Sequence, residues 1–440
     1  MSDTPSPARR APLPEGTIPV GAALLVAGIA TYAFFKIGEL ALGGEEEFAP
    51  IVSMWFAVFA LAPGFFLPLE QELGRALSHR TATGDGGRPI VRRIVALGAT
   101  IATIVLVAIL LASPLITSRY FDGDWWMLAA LATAFAAYAP AHLARGICAG
   151  KGRFHAYAYV MGSDGVVRIV ACVALAAVGI SSAAPYAFAV ALAPLVAVVA
   201  VGAHGSLRTE DGPPAEWAEV TQNLGWLLLG TVFAAALLNA GPVAATLMAE
   251  DGQEELVTQF GYGVLLARIP LFLFQAVQAA LLPRLSGLAA RGEIDEFVAG
   301  FVRLMKLVAA VGVLGTTGAF VLGPFAIETV YDATLSGRTL AMLALSSGIY
   351  MAALATAQAV IALRGHWMVA VGWVLGTIAF VLTTWLSSDL LFRRIELGLV
   401  ASSATALGWF VLALRHRLAS GVRPSPSSAL DAITDMPVES

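Results

Sequence analysis

Seven side chains stand inside stretches that are otherwise apolar, and they are the ones equipped for chemistry: Lys36, Glu39, Asp164, Arg168, Arg268, Gln275 and Gln278. A charge in the middle of a membrane-length segment costs about 3 kcal/mol on insertion scales, so it lines a cavity or meets a partner. Arg268 sits near the centre of Leu256–Arg284 (LVTQFGYGVLLARIPLFLFQAVQAALLPR) with no acid deep in the same segment, and Pro270 removes a backbone donor two residues on. Gln275 and Gln278 follow on roughly the same side of a helix, which predicts a wet face. Asp164 and Arg168 are spaced i,i+4 and can pair. Lys36 precedes Glu39 towards the end of the first apolar stretch, where its long stem equally allows it to reach the headgroups. Cations in a low-dielectric cavity suit an anionic cargo such as a pyrophosphate. Carboxylates there, Asp164 and Glu39, suit a coupling proton or sodium ion. The pair Asp164–Arg168 equally suits a structural ion pair.

No catalytic constellation accompanies these groups. The six histidines are scattered near helix ends with no i,i+4 pair, and they read as solvated or interfacial. AGKGRF, Ala149–Phe154, lacks the Gly-x4-Gly-Lys-Ser/Thr spacing of a phosphate loop and reads as a tight basic turn. Asp122-Gly123-Asp124 has a sugar-nucleotide-binding form but lies in a very short loop. Cys148 and Cys172 make neither a disulfide framework nor a metal site. The expectation is a non-enzyme with no cofactor and no metal.

The segments that must position these residues declare their solvent. Of 440 residues 58% are hydrophobic and only 13% charged, with mean hydropathy +0.79, against about 25% charged in soluble domains. Apolar windows of membrane length fall near Ile18–Leu42, Phe48–Leu69, Ile94–Ile116, Trp125–Ile147, Tyr157–Ile180 and Ala183–Ala203. Six more fall near Leu224–Met248, Leu256–Leu282, Leu304–Ile327, Thr339–Leu363, Trp367–Leu386 and Ile395–Leu414. The first is too long for a signal-peptide core and reads as a retained span. With both termini cytoplasmic, 19 of the 26 Lys and Arg fall inside, four outside and three within spans. That bias satisfies the positive-inside rule; with the Ala/Gly/Val-heavy composition, which suggests a bacterial source, the expectation is a multi-pass protein of a bacterial plasma membrane. Acidic outer connections, Glu45-Glu46-Glu47 and AEDGQEEL, read as solvated caps. Residues 1–16 and 417–440 are Pro- and Ser-rich tails expected to be unstructured.

The two halves of the chain repeat. Helices 2 and 8 leave the membrane through Leu-Pro, at Pro68 and Pro283, and basic turns follow helices 4 and 10 at Lys151 and Arg364. The offsets, 283 − 68 = 215 and 364 − 151 = 213, give nearly one register. Six spans intervene, an even number, so the halves share one orientation. The expected fold is an all-α polytopic membrane protein: twelve transmembrane helices in two six-helix bundles related by a pseudo-two-fold axis along the membrane normal. The bundles would occupy residues 17–205 and 223–416, joined by a cytoplasmic linker at 206–222.

With ARIPLFLFQAVQAALLPRLSGLAARGE, EQELGRALSHR and YMAALATAQAVIALRGHW, this pattern resembles the multidrug/oligosaccharidyl-lipid/polysaccharide exporter superfamily. Within it, the chain is similar to actinobacterial polysaccharide-biosynthesis membrane proteins related to O-antigen flippases. The resemblance implies alternating access between two bundles and movement of a polyprenyl-pyrophosphate-linked saccharide from inner to outer leaflet. Arg268, Arg168, Lys36, Gln275 and Gln278 would meet the substrate, and membrane lipids, envelope glycosyltransferases or a polymerase would be partners, with no nucleic acid. The first helix opens IPVGAALLVAGIATYAFF, without the early Arg-Gly of many flippases, leaving Lys36 as a late substitute. A cation-coupled multidrug antiporter of the same fold and a transport-inactive scaffold for envelope-synthesis enzymes are the alternatives.

Overall fold

The computed structural model describes residues 17–217, 224–250, 252–271, 274, 285, 288–289, 292–363 and 365–420. Gln275, Gln278, Pro283, Arg364 and residues 1–16 and 421–440 lie outside the described residues, while Arg417–Ala419, expected to begin the second tail, complete the last helix. The first half holds α1 (Thr17–Leu42), α2 (Glu45–Thr83), α3 (Arg88–Leu111), α4 (Ser113–Tyr120), α5 (Trp125–Gly150), α6 (Phe154–Ala177) and α7 (Ala183–Ala203). The second holds α8 (Leu224–Met248), α9 (Glu254–Ala267), α10 (Ile294–Tyr331), α11 (Gly337–Ala362), α12 (His366–Leu386) and α13 (Leu391–Ala419). Eleven of these helices are long and apolar enough to cross a membrane; the short α4 and α9 are the exceptions. The chain is an all-α, multi-pass membrane protein whose twelve crossings form two six-helix bundles, α9 beginning the twelfth. The start of α1 and the end of α13 lie on one face, called here the terminal face, opposite the far face.

Three element boundaries differ from expectation, each for a local reason. α2 runs on to Thr83 rather than stopping near Leu69: its 39 residues make about 58 Å at ~1.5 Å per residue, well beyond the bilayer. The window Ile94–Ile116 splits into α3 and α4 at Ala112, because Pro114 has no N–H to continue the α3 ladder and sits instead in the first turn of α4, where that donor would be unpaired anyway. The window Leu256–Leu282 is not one unbroken helix: α9 closes at Ala267 with Arg268 as its cap. Pro270 cannot donate to the carbonyl four residues back and its ring crowds that carbonyl. The Arg268 amide turns to Leu265 O instead, at 3.2 Å.

Within the first half, α2 packs on α5, α1 on α6, and α7 on α5 and α6; within the second, α10 packs on α11, α12 on α13, α11 on α13 and α8 on α12. Small residues let these backbones approach. A Cβ at Gly146 of α5 would fall 2.8 Å from the Glu70 carbonyl of α2, and one at Gly372 of α12 would fall 2.1 Å from the Phe410 ring of α13. The repeat is visible in the starts of helices: α11 against α5 gives 337 − 125 = 212, and α12 against α6 gives 366 − 154 = 212.

The segment after α7 is held against the first bundle by that bundle's own basic residues. Arg153 Nη1 donates to Ser206 O (2.6 Å), Lys151 Nζ to Glu210 (2.5 Å), Arg88 Nη1 to Asp211 (2.8 Å) and Arg80 Nη1 to Pro213 O (2.7 Å). Arg93 lies 4.6 Å over the Trp217 ring. The Lys151 hydrogen bond holds the exposed Glu210 carboxyl below its ordinary range. Residues 206–217 therefore form a strap under the first bundle, and AGKGRF is the turn the sequence predicted, with Gly152 at φ +65°.

Candidate functional site

The seam between the bundles is built on α2. Its far-face half, together with α1, meets α8 and α9 through six hydrogen bonds among the described residues, four from α2 and two from α1. Thr258 Oγ1 donates to Glu45 O at 2.7 Å, and Tyr262 OH to Glu39 Oε2 at 2.9 Å. Tyr32 OH donates to Leu265 O at 2.8 Å, and Ser53 Oγ shares a proton with Thr246 Oγ1 at 2.9 Å. Asn239 Nδ2 donates to Phe59 O at 2.9 Å, and Thr231 Oγ1 to Gly64 O at 2.8 Å. At Gly64 a Cβ would meet Val232 Cα at 2.7 Å, so the two backbones touch there. Between Gly64 and the terminal face, no hydrogen bond joins the bundles among the described residues.

Aromatic packing fills the same half of the seam. Phe34, Phe35, Phe48, Trp55 and Phe56 are buried together, Phe35 edge-on to Tyr262 at 6.2 Å. Tyr262 stacks on Tyr331 of α10 at 4.1 Å. Among the described residues the Phe35–Tyr262 ring pair crosses from one bundle to the other, and with the six hydrogen bonds it holds the far face shut.

The predicted residues divide into separate places. Lys36 and Glu39 pair at 3.4 Å inside the seam, where Glu39 also takes the Tyr262 proton. Glu45 is half-buried there with Oε2 lacking a partner among the described residues, so the acidic stretch at 45–47 is a solvated cap only at Glu46 and Glu47. Arg168 is 2% exposed inside the first bundle; its Nη2 donates to Asp164 Oδ2 at 2.6 Å and its guanidinium lies 4.6 Å over Trp55. Arg168 Nε, Asp164 Oδ1 and Tyr138 OH are buried with no hydrogen-bond partner among the described residues.

Arg268 was expected to look onto an open chamber; instead it is buried, with 8% exposure, in the lumen of the second bundle. Its Nη1 donates to Asn239 Oδ1 at 2.8 Å, its Nη2 donates to Leu238 O, and Phe56 of α2 covers it at 5.4 Å. No carboxylate pairs with it among the described residues. Beside it is a cavity of about 30 Å³ walled by α8, α9, α11 and α13. The two arginines do not touch. They flank α2, whose successive residues Trp55 and Phe56 each cover one of them.

Two arrangements escaped the sequence reading. Asn239 is the link across the seam, receiving Arg268 on Oδ1 while Nδ2 reaches Phe59 O and, at 3.0 Å, Ala235 O. A lone amide in LGWLLLGTVFAAALLNAGPVAATLM was the available signal. The second is a buried cluster near the terminal end of the first bundle. Glu70 accepts from Arg145 Nη2 (2.7 Å) and Tyr157 OH (2.8 Å), with His142 Nδ1 at 2.8 Å. His142, expected to be solvated or interfacial, is 3% exposed. At the far end of the second bundle, fully buried Glu396 pairs with Arg338 at 3.0 Å. The Asp-Gly-Asp stretch is structural: Asp124 Oδ1 caps α5 by accepting from Trp126 N at 2.7 Å. No group of three or more His, Cys, Asp or Glu could hold a metal among the described residues.

Comparison with known proteins gives the fold an independent footing. No family model matches the chain. Uncharacterized proteins of Mycobacterium tuberculosis and Mycobacterium bovis are each 25% identical over 437 residues, covering 94% of this chain and 96% of theirs. The inward-facing form of a multidrug resistance MATE family transporter of the MOP superfamily superposes with TM-score 0.70 at 14% identity, over 91% of this chain and 98% of that one. An outward-facing form gives 0.67 at 13% identity, over 92% and 96%. The Vibrio cholerae MATE transporter VcmN in its bent form gives 0.64 at 15% identity, over 91% and 97%. At these identities the likeness is one of fold.

Proposed function

We propose that this chain is a transporter working by alternating access, and that its cargo is a polyprenyl-pyrophosphate-linked saccharide carried from the inner to the outer leaflet of a bacterial plasma membrane. The observation that carries the reading is the one-sided seam: among the described residues, the hydrogen bonds that join the bundles all lie from Gly64 to the far face. A two-bundle protein fastened at one end is in one of the two states that alternating access requires. The solved structures of like fold bear the name of transporters, which supports the same reading. With the termini cytoplasmic, a molecule fastened at the far face would correspond to the inward-facing state.

The anionic cargo is supported by Arg268, a buried cation with no carboxylate beside it among the described residues. Rocking the bundles apart at the far face would draw Phe56 away with α2 and uncover the guanidinium. Arg168 would follow when Trp55 shifts. Reconstituted into vesicles, the protein is expected to flip a fluorescent polyprenyl-pyrophosphate saccharide, and Arg268→Ala to lower the rate at least tenfold while still inserting. Normal flipping by that variant would overturn the assigned role.

A multidrug antiporter is the second reading, favoured by one observation: Asp164 Oδ1 is buried without a partner among the described residues. A carboxylate oxygen in that state suits a transported proton or cation. Asp164→Asn would then abolish proton-driven drug efflux, whereas on the flippase reading it would leave drug sensitivity unchanged.

A further inference from the structure

Arg268 brings a full charge into the second bundle, and the space beside it has the lining that charge needs. A guanidinium offers five N–H donors; two hydrogen bonds, to Asn239 and Leu238, are all it makes among the described residues. Both of those acceptors are neutral. The cavity it lines has about 30 Å³ of space, about one water or one monatomic ion.

Hydroxyls complete the wall. Ser346 Oγ gives its proton to Leu343 O (2.8 Å) and Tyr350 OH gives its proton to Ala234 O (2.9 Å). Ser347 and Ser403 also line the cavity. Their hydroxyls make no hydrogen bond among the described residues, so both protons are free to point inward. No carboxylate lines the space among the described residues. A guanidinium and two free hydroxyl donors around an atom-sized hollow make a site that repels cations and attracts an anion.

Size then selects the anion. The water-sized space of about 30 Å³ takes a monatomic ion whole, whereas a phosphate or carboxylate brings several heavy atoms and would have to reach out through the cavity's open side; a water would leave the charge uncompensated. We propose that the cavity between Arg268, Ser347 and Ser403 binds a single halide, chloride in the cell, as the resident counter-ion of the second bundle. The proposal rests on the cavity and its donors and does not depend on the cargo assigned above. The ion would draw together α9, α11 and α13 at the depth where Phe56 closes over Arg268, so chloride should favour the far-closed state.

The full-length protein in detergent tests this by thermal unfolding in sodium chloride, sodium bromide and sodium gluconate at equal ionic strength, paired with a bromide-soaked crystal. The expected results are a halide-dependent rise in Tm and an anomalous bromide peak in contact with the Arg268 guanidinium. Ser347→Ala with Ser403→Ala keeps the cation but removes two donors, and should weaken the apparent halide affinity about tenfold. Equal Tm in chloride and gluconate, a bromide peak only elsewhere, or full halide dependence in the double variant would each overturn the proposal. Saccharide flipping is a separate readout: its absence with the halide effect intact would remove the cargo reading and leave the ion site standing.

Discussion

Asn239 is the residue on which the two halves of the molecule meet. One end of its amide takes a hydrogen bond from Arg268 in its own bundle, and the other gives one to the Phe59 carbonyl of the opposite bundle. Whatever moves α2 is therefore felt by the buried cation. Replacing Asn239 with Asp places a carboxylate where Arg268 already donates. The expected outcome is a folded protein in which the charge is compensated internally, with anionic cargo flipping down at least tenfold and no Tm difference between chloride and gluconate. Flipping and melting assays on the same preparation check both. The Asp164–Arg168 pair was legible in the sequence because i,i+4 spacing fixes it locally. Asn239, and Glu70 with His142 and Arg145, were not, since each pairing joins residues at least 29 positions apart. Only the packing of helices makes such neighbours.

At the scale of the element, apolar length marked nearly every helix, because a bilayer admits little else. What it missed were places where a proline or a long polar extension acts. Pro270 ends α9 at the charged residue, and α2 carries Pro50, Pro63 and Pro68 without breaking. The helix survives there because tight packing on α5, α8 and α9 holds it on several sides. The α2–α5 contact is the most demanding of these, since it also aligns Glu70 with His142 and Arg145. Gly146→Leu would push against the Glu70 carbonyl and the Leu73 side chain. Overpacking and the loss of partners for a buried charge should together cost about 3 kcal/mol. A lowered midpoint in thermal or denaturant unfolding measures it; an unchanged midpoint would show that the helices can part there freely.

At the scale of the molecule, the two-bundle fold and its repeat were readable from span count and register. The state in which the bundles rest was not, because it depends on which ends of which helices touch. The one-sided seam makes that state testable. Ser53 and Thr246 hydroxyls lie 2.9 Å apart across it. With both changed to cysteine, mild oxidation is expected to lock the far face and stop transport, and a reductant to restore it. The native Cys148 and Cys172 are buried and supply the background control. Transport that continued through a formed crosslink would mean the far face is not the gate.

The strap adds a limit of its own. Because Arg80, Arg88, Lys151, Arg153 and Arg93 fasten residues 206–217 beneath the first bundle, the chain between the halves is a short leash rather than a loose tether. From Trp217 to the start of α8 at Leu224 it runs seven peptide steps (224 − 217), a reach of about 25 Å at full extension. Any wider swing of the halves must first peel that segment from its basic clamps, so the stroke of the machine is bounded by the length of its own backbone.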